Sequence, residues 1–244
     1  MNSGGVRGVQ RRMFRAVVLA SLCIGSAAHA EAPKGTIKGT VIFEGEPPER
    51  ATLKRDTDPY CKQGDGLAED VVVTKGKLRD VLVRVKTGPV PKASVPAQPA
   101  VIDQRGCAYV PHVIGMVAGQ KLAVRNSDGT NHFVWGQLAG KTLWNKPQMA
   151  KAADLSLEST AKPGDVIDLK CGAHPWMQAY AVVQEHPFFA VTGDTGAFEI
   201  KGLPPGEYTL EAWHPKLGTK LLTVKIGTGP KATITARFSY KASE

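Results

Sequence analysis

Apolar and polar residues alternate in short runs along this chain, and Gly, Pro, Asn or Asp ends each run. Residues 36–43 are typical, because Thr-Ile-Lys-Gly-Thr-Val-Ile-Phe has the period of a half-buried strand and is stopped by Gly45 and Pro47-Pro48. No long stretch has the period of a helix. The pattern therefore predicts an all-β protein built from β-sandwiches.

Further short runs of Val, Ile, Leu and Thr predict more strands. They are a hairpin over 70–74 and 78–85, two strands over 109–126 joined by a turn at Gly119, and single strands over 155–158, 166–170 and 178–184. Residues 87–99 are rich in Gly, Pro, Ala and Ser, and we expect a linker there. Residues 136–153 follow neither period, so we expect a loop.

The first thirty residues have the features of an export signal. Four arginines precede an apolar run over 16–24, and Ala28-His29-Ala30 offers small residues at the cleavage positions. The apolar run is too short to span a bilayer. We expect residues 1–30 to be removed as a signal peptide and the mature protein to be periplasmic or secreted, without stable membrane insertion.

The charge of the chain argues against one class of partner. Removal of the four arginines lowers the formal net charge from +9 to +5. No basic block is interleaved with aromatic residues, so we expect no binding to nucleic acid. A mildly basic surface would instead steer an acidic protein partner toward the molecule.

Three cysteines remain after the signal is removed, namely Cys61, Cys107 and Cys171. In an oxidising compartment two of them would pair and the third would need another explanation. We expect a disulfide between Cys61 and Cys107, which leaves Cys171 available for chemistry.

The stretch from Cys171 to Met177 reads Cys-Gly-Ala-His-Pro-Trp-Met and concentrates donors for a soft metal ion. It supplies the thiolate of Cys171, the imidazole of His174 and the thioether of Met177. Two imidazoles, one thiolate and a weak axial thioether form a blue-copper site, so the stretch is one histidine short. Pro175 stiffens the turn between the donors because it fixes its own φ.

Residues 109–131 resemble the stretch by which plastocyanin-type cupredoxins reach their first copper histidine, and here that histidine is His132. The spacing Cys-x2-His-x2-Met resembles the ligand loop of the amicyanins, which are small bacterial cupredoxins. The resemblance implies a Greek-key cupredoxin domain over 98–186. It also implies that His174 is the more exposed ligand and that Pro175 and Trp176 belong to a patch where redox partners dock.

One residue departs from the cupredoxin pattern. Phe133 follows the first histidine, where cupredoxins usually carry a polar side chain that joins the two ligand loops. Because the surroundings of the ligands tune a metal site, this departure bears on the reduction potential and the rigidity of the site more than on copper binding.

The tail contains Thr-Gly-Asp-Thr-Gly-Ala-Phe-Glu-Ile-Lys-Gly-Leu-Pro-Pro-Gly-Glu-Tyr-Thr-Leu over 192–210. This motif resembles the carboxypeptidase regulatory-like domain, a prealbumin-type β-sandwich. The tail supplies too few strands for such a sandwich, so we expect a domain over 187–240 that strands from 36–87 complete. The cupredoxin domain would then be inserted in it, although two contiguous domains are the alternative.

These observations predict a periplasmic electron carrier, not an enzyme, with one mononuclear type 1 copper ion and redox proteins as partners. His112, His186 and His214 lie beside prolines in predicted turns and are expected to be structural, which leaves no second copper site of the kind a cupredoxin enzyme needs. One alternative is a protein that captures or delivers copper. Another is a surface binding module in which the regulatory-like domain does the work.

Overall fold

The structure is a computed structural model that describes residues 1–5, 34–62, 66–229 and 232–242. Over these residues the chain forms eighteen β-strands and no helix, which confirms the all-β prediction. No described helix is therefore long and apolar enough to cross a membrane. The predicted signal peptide lies, apart from residues 1–5, outside the described residues.

All eighteen strands belong to one compact unit, Ala32–Glu244. The strands before residue 88 are β1 (Gly35–Glu44), β2 (Val73–Thr74), β3 (Lys77–Leu78) and β4 (Leu82–Thr87). Those between residues 100 and 184 are β5 (Ala100–Gln104), β6 (Tyr109–Val110), β7 (Val113–Val117), β8 (Leu122–Asn126), β9 (His132–Leu138), β10 (Lys141–Gln148), β11 (Leu155–Leu157), β12 (Val166–Cys171) and β13 (Gln178–Gln184). The last are β14 (Phe189–Val191), β15 (Ala197–Leu203), β16 (Gly206–His214), β17 (Gly218–Ile226) and β18 (Thr233–Lys241).

The first four and last five strands form two sheets, which we call the terminal sheets. One has the order β15-β1-β3-β2 with β18 on the other side of β1, and the second has the order β14-β4-β16-β17. β1 runs parallel to β18 from Thr36 opposite Thr233 to Glu44 opposite Lys241. Alternate residues of β1 and β18 are buried, as expected for strands with one face on a core.

The nine strands between them form two other sheets, the middle sheets, with the orders β10-β9-β12-β13-β7 and β11-β8-β5-β6. They enclose a separate apolar core that includes Ile102, Leu122, Ile167 and Leu169, all fully buried. Within the first middle sheet β9 pairs with β12, which places Cys171 opposite Val134. This register brings the first residue of β9 and the last residue of β12 to the same end of the sheet.

The middle sheets are inserted between two strands that are neighbours in a terminal sheet. β4 ends at Thr87, and β14, which pairs with β4, begins at Phe189. A small cluster of Leu82, Val113 and Val182 joins the two sets of sheets. The division into a domain over 98–186 and another over 187–240 with strands from 36–87 stays a prediction, and the pairing of β4 with β14 and β16 supports it.

Two of the predicted elements were wrong. Residues 78–85 are not one strand, because Asp80 adopts a φ of 62°, outside the β region, and separates β3 from β4. Residues 136–153 are not a loop, because β10 pairs with β9 from Lys141 to Gln148. β10 is an edge strand with mostly exposed polar side chains and a proline, so it lacks the apolar alternation of a strand with a buried face.

Candidate metal centre

Three predicted ligands meet at the end of the sheet where β9 begins and β12 ends. His132 is the first residue of β9, Cys171 is the last residue of β12, and His174 follows in a tight turn. The amide of Met177 donates to the carbonyl of His174 at 2.9 Å and closes that turn. All three ligand side chains are buried, with exposed fractions of 0% for His132, 4% for Cys171 and 2% for His174.

The donor atoms of these residues form a compact triangle. The two Nδ1 atoms of His132 and His174 are 3.0 Å apart, and each lies 3.6 Å from Sγ of Cys171. A triangle with these edges has a centre about 2 Å from each atom, which is the usual length of a metal–imidazole bond. The three side chains therefore fit a metal ion without rearrangement of the backbone.

The surroundings of Cys171 favour its thiolate form. Burial would raise its pKa, but hydrogen bonds from His132 and from the amides of Phe133 and Ala173 outweigh burial and lower the pKa to about 6. For His132, burial would lower the pKa, but Asp128 and the charge of Cys171 raise it to about 9. At neutral pH the metal-free centre therefore holds a thiolate beside an imidazolium, and a metal ion would displace the proton.

Each histidine is supported from behind by a carboxylate. Oδ2 of Asp128 lies 3.0 Å from Nε2 of His132, and Oδ2 of Asp58 lies 3.0 Å from Nε2 of His174. A carboxylate at this position keeps a proton on Nε2, so that Nδ1 faces the centre of the triangle and directs its lone pair at a metal ion once any proton on Nδ1 is displaced. Metal-binding histidines commonly have such a partner, which fixes the ring and its tautomer.

Asp128 also joins the centre to the segment that carries Cys107. It accepts hydrogen bonds from the amides of Gly106 at 2.6 Å and Cys107 at 2.9 Å. Burial would raise the pKa of Asp128, but its hydrogen bonds with His132 and these amides lower it overall. Asp128 is therefore a carboxylate, as its role behind an imidazole requires.

The structure contains the disulfide between Cys61 and Cys107, with Cα atoms 5.6 Å apart, and Cys171 is free and buried. A second group of potential metal donors consists of Asp58, Cys61 and His174. It shares His174 with the first group, and its cysteine is in the disulfide. The first triangle is therefore the better candidate for a metal ion.

Met177, the predicted axial ligand, is 1% exposed and belongs to the same core cluster as Cys171. It also lines a cavity of about 290 Å³ together with Trp176, Cys107 and Tyr109. Its burial next to the ligand turn is compatible with an axial role, which stays a prediction.

His174 is only slightly more exposed than His132, at 2% against 0%, and the sequence did not indicate burial this complete. His174 is almost fully buried because Asp58 covers Nε2 and Trp176 packs beside the ring, with ring centroids 5.1 Å apart. Trp176 is half-buried and donates from Nε1 to the carbonyl of Cys107 at 3.1 Å, whereas Pro175 is exposed. A docking patch at Pro175 and Trp176 stays a prediction.

The backbone of Phe133, not its side chain, joins the two ligand segments. Its amide donates to Sγ of Cys171 at 3.4 Å, and its carbonyl accepts from the amide of Gly172 at 3.0 Å. The aromatic side chain is 43% exposed. A polar side chain at this position is therefore not required to connect the loops.

Among the described residues, His112, His186 and His214 do not belong to this triangle. His214 is 1% exposed, and its Nδ1 accepts hydrogen bonds from the amides of Lys216 and Leu217. His112 is 7% exposed and packs edge-on against Tyr180. The structural roles that the sequence predicts for both residues stay predictions.

The sequence did not indicate the two supporting carboxylates. Asp58 is 116 residues from His174 in the chain and lies in a polar stretch that follows no strand pattern. Asp128 is four residues before His132, and the only available signal was its place in the short turn that precedes that ligand.

No protein-family model matches the sequence, and no curated protein matches it. Among solved structures, the chain is similar to a purple cupredoxin from Nitrosopumilus maritimus, with 21% identity, a TM-score of 0.31, and coverage of 35% of this chain and 99% of that chain. Amicyanin from Paracoccus versutus has 20% identity and a TM-score of 0.31, and the match covers 42% of this chain and 97% of that chain.

A copper-containing nitrite reductase from Thermus scotoductus is also similar, with 16% identity, a TM-score of 0.33, and coverage of 59% of this chain and 28% of that chain. These structural neighbours are cupredoxins, and each match covers only part of this chain. Identities and TM-scores this low establish no function for the chain. The predicted regulatory-like domain stays a prediction.

Proposed function

We propose that the protein binds one mononuclear type 1 copper ion and carries single electrons between redox proteins. His132 and His174 would bind the ion through Nδ1, Cys171 through Sγ, and Met177 as a weak axial ligand. One observation carries the proposal: two Nδ1 atoms and a thiolate sulfur converge within 3.6 Å, and a carboxylate holds each imidazole from behind.

The donor set favours copper over other divalent ions. Two imidazoles, one thiolate and a distant thioether suit copper in both of its common oxidation states, whereas structural zinc sites use four strong ligands. Bound copper would supply one-electron chemistry. The chain would hold the donors on β9, β12 and the following turn, so that their positions change little between the two oxidation states.

A catalytic triad is the other function that this geometry suggests. The sulfur of Cys171 contacts His132, and His132 contacts Asp128, as a nucleophile, a base and a carboxylate do in a triad. A nucleophile must reach its substrate, but the sulfur lies between two imidazoles on a residue that is 4% exposed. Burial of this kind favours a carrier that excludes water and substrate.

Redox proteins would dock beside the centre, at the surface formed by Pro175 and Trp176. Trp176 is the residue of this pair that touches a ligand ring, since it packs against His174. The mildly basic mature chain favours an acidic partner. A periplasmic or secreted location is part of the proposal, because it accommodates the disulfide and the expected signal peptide.

An optical titration of the mature protein tests the proposal. Addition of Cu(II) should produce an intense visible band that saturates at one equivalent, fades with ascorbate and returns on reoxidation. Cys171→Ser should abolish the band and keep the β-sheet circular dichroism, whereas His186→Gln, at a distant histidine, should change neither. Stable Cu(I) binding without a reversible couple would instead support copper capture or delivery. If the mature protein gives no visible band with Cu(II), the proposal that it is a copper electron carrier is overturned.

A further inference from the structure

Asp58 connects three parts of the molecule at the back of the metal centre. Its Oδ2 lies 3.0 Å from Nε2 of His174 and accepts a hydrogen bond from the hydroxyl of Thr130 at 2.7 Å. Its Oδ1 accepts a hydrogen bond from the amide of Tyr60 at 2.8 Å. The carboxylate thus contacts the ligand turn and the loop before His132. It belongs to neither, because it comes from the connection between β1 and β2.

That connection has little regular structure of its own to hold Asp58 in place. Between Glu44 and Val73 the described residues contain one isolated bridge, Thr52 with Leu67, and no strand. We call residues 51–62 the cover segment, because they include the carboxylate that shields His174. A segment without strand pairing opens more easily than the sheets around it.

A covalent bond fixes the cover segment three residues beyond Asp58. The amide of Cys61 donates to the carbonyl of Asp58 at 3.0 Å, and Cys61 is joined to Cys107. The amide of Cys107 in turn donates to Asp128, the carboxylate behind His132. One disulfide therefore links the supports of both histidine ligands.

The loop before His132 is shaped to receive the cover segment. A Cβ at Gly129 would lie 2.8 Å from the ring of Tyr60, so the ring packs directly on this glycine and would have to shift for a larger residue. Tyr60 is 40% exposed and lies at the outer surface of the segment. The segment thus packs against the ligand loop through Tyr60 as well as through Asp58.

We propose that Asp58 is a positioning residue for the metal centre and that the buried Cys61–Cys107 disulfide is the latch that holds the cover segment against it. This inference rests on the proposed function. Cys61 and Cys107 are 1% and 0% exposed, so the latch is a structural bond, shielded from reductants while the segment is in place. Without this bond the segment would withdraw Asp58 from His174, expose the ring to water and weaken metal binding.

The positioning role is tested first on metal-free protein. Nitrogen NMR of the full mature chain reports which ring nitrogen of His174 carries the proton, and the wild type should show it on Nε2. In Asp58→Ala the proton of His174 should move toward Nδ1. In Asp58→Asn, which keeps an acceptor oxygen, the proton should again lie on Nε2. Asp56→Ala, at an exposed acid in the same segment, should resemble the wild type. An unchanged His174 in Asp58→Ala would overturn the inference.

The consequence for metal binding is measured by competition with a chelator. Loss of a carboxylate behind a ligand histidine typically weakens metal affinity by about 10–100-fold. We expect a loss in this range for Asp58→Ala, and affinities near that of the wild type for Asp58→Asn and Asp56→Ala. Equal affinities for all four proteins would contradict the positioning role.

The latch is tested by hydrogen exchange, again on metal-free protein. The double variant Cys61→Ser, Cys107→Ser should raise the exchange rates of amides in the cover segment by at least about tenfold and leave those in β12 unchanged. Slow exchange at Tyr60 in this double variant would overturn the proposed latch. Because these readouts need no copper, their failure is distinct from failure of the Cu(II) titration.

Discussion

The Nδ1 atoms of His132 and His174 are 3.0 Å apart, although both rings are almost completely buried. Two imidazoles that face each other this closely cannot both point a proton at the other. The thiolate of Cys171, 3.6 Å from each nitrogen, adds a negative charge to the same space. In the metal-free protein the centre is therefore organised around one shared proton, which a metal ion would replace.

Titration of Cys171 provides the first prediction. In metal-free protein its thiolate absorption in the ultraviolet should appear with a midpoint of about 6, well below the 9.0 of an ordinary thiol. Cys171→Ser should lack this transition. A midpoint near that of an ordinary thiol would contradict the hydrogen bonds assigned to the sulfur.

The same shifts predict how stability depends on pH. The pKa of Cys171 is lowered on folding, so its contribution is complete above pH 9.0 and is lost as the pH falls through about 6. The pKa of His132 is raised, so its contribution is complete below pH 6.5 and is lost as the pH rises through about 9. Between pH 6.5 and 9 the gain from Cys171 and the loss from His132 offset each other, so the stability of metal-free protein in urea unfolding should rise as the pH passes through about 6 and then stay level to about pH 9. Cys171→Ser keeps only the His132 contribution and should instead lose stability as the pH rises toward 9.

Met177→Leu should change the reduction potential more than the copper affinity. A thioether in the axial position is a weak and distant ligand, so its loss alters the balance between the two oxidation states more than the total binding energy. Leu has a similar volume, and the cost in stability should stay below about 1.5 kcal/mol. Voltammetry and chelator competition measure the two effects. A loss of affinity far above tenfold would contradict a merely axial role.

Gly39→Ala should destabilise the terminal sheets. Gly39 lies in β1, and an added Cβ would collide with the ring of Phe198 and with the backbone carbonyl of Ala236 on β18. Because the carbonyl cannot move without disturbing the pairing of β1 with β18, we expect a loss of about 1–3 kcal/mol in the free energy of unfolding. Gly227→Ala is the matched control, since nothing lies within 4 Å of its added Cβ. Equal urea midpoints for both variants would contradict this packing.

Glu211→Gln should also weaken the fold. Glu211 is 4% exposed on β16 and is paired with Arg84 and Lys86 of β4. The change leaves a partly buried guanidinium without its counter-charge, and breaking a pair of this kind costs about 3 kcal/mol. Glu199→Gln removes an exposed partner of Lys38 and Lys201 and should produce no measurable loss in the same denaturation assay.

The sequence predicted the parts of the centre that are local in the chain. Cys171 and His174 are three residues apart, and the apolar pattern over 166–170 is that of the strand that presents them. His132 required a resemblance to known cupredoxins, because nothing local connects it with the other two ligands. The pairing of β9 with β12, which brings them together, is a long-range contact.

The sequence could not predict the supports of the ligands. Asp58 and Asp128 act through single hydrogen bonds to ring nitrogens, and such contacts leave no periodic pattern in a sequence. For the same reason the burial of His174 was missed, since the residue that covers it lies in a segment without strands. The break at Asp80 was hidden because Leu78 precedes it and an apolar run over 81–83 follows it closely, so the whole stretch resembles one strand.

The pairing of β4 with β14 also determines the order in which the growing chain can assemble. Every strand of the middle sheets lies between residues 100 and 184, so these sheets are complete while β14–β18 have yet to be synthesised. β1 must wait for β15 and β18, which provide most of its neighbours. The middle sheets, which carry the three ligands, can therefore fold before the terminal sheets are complete.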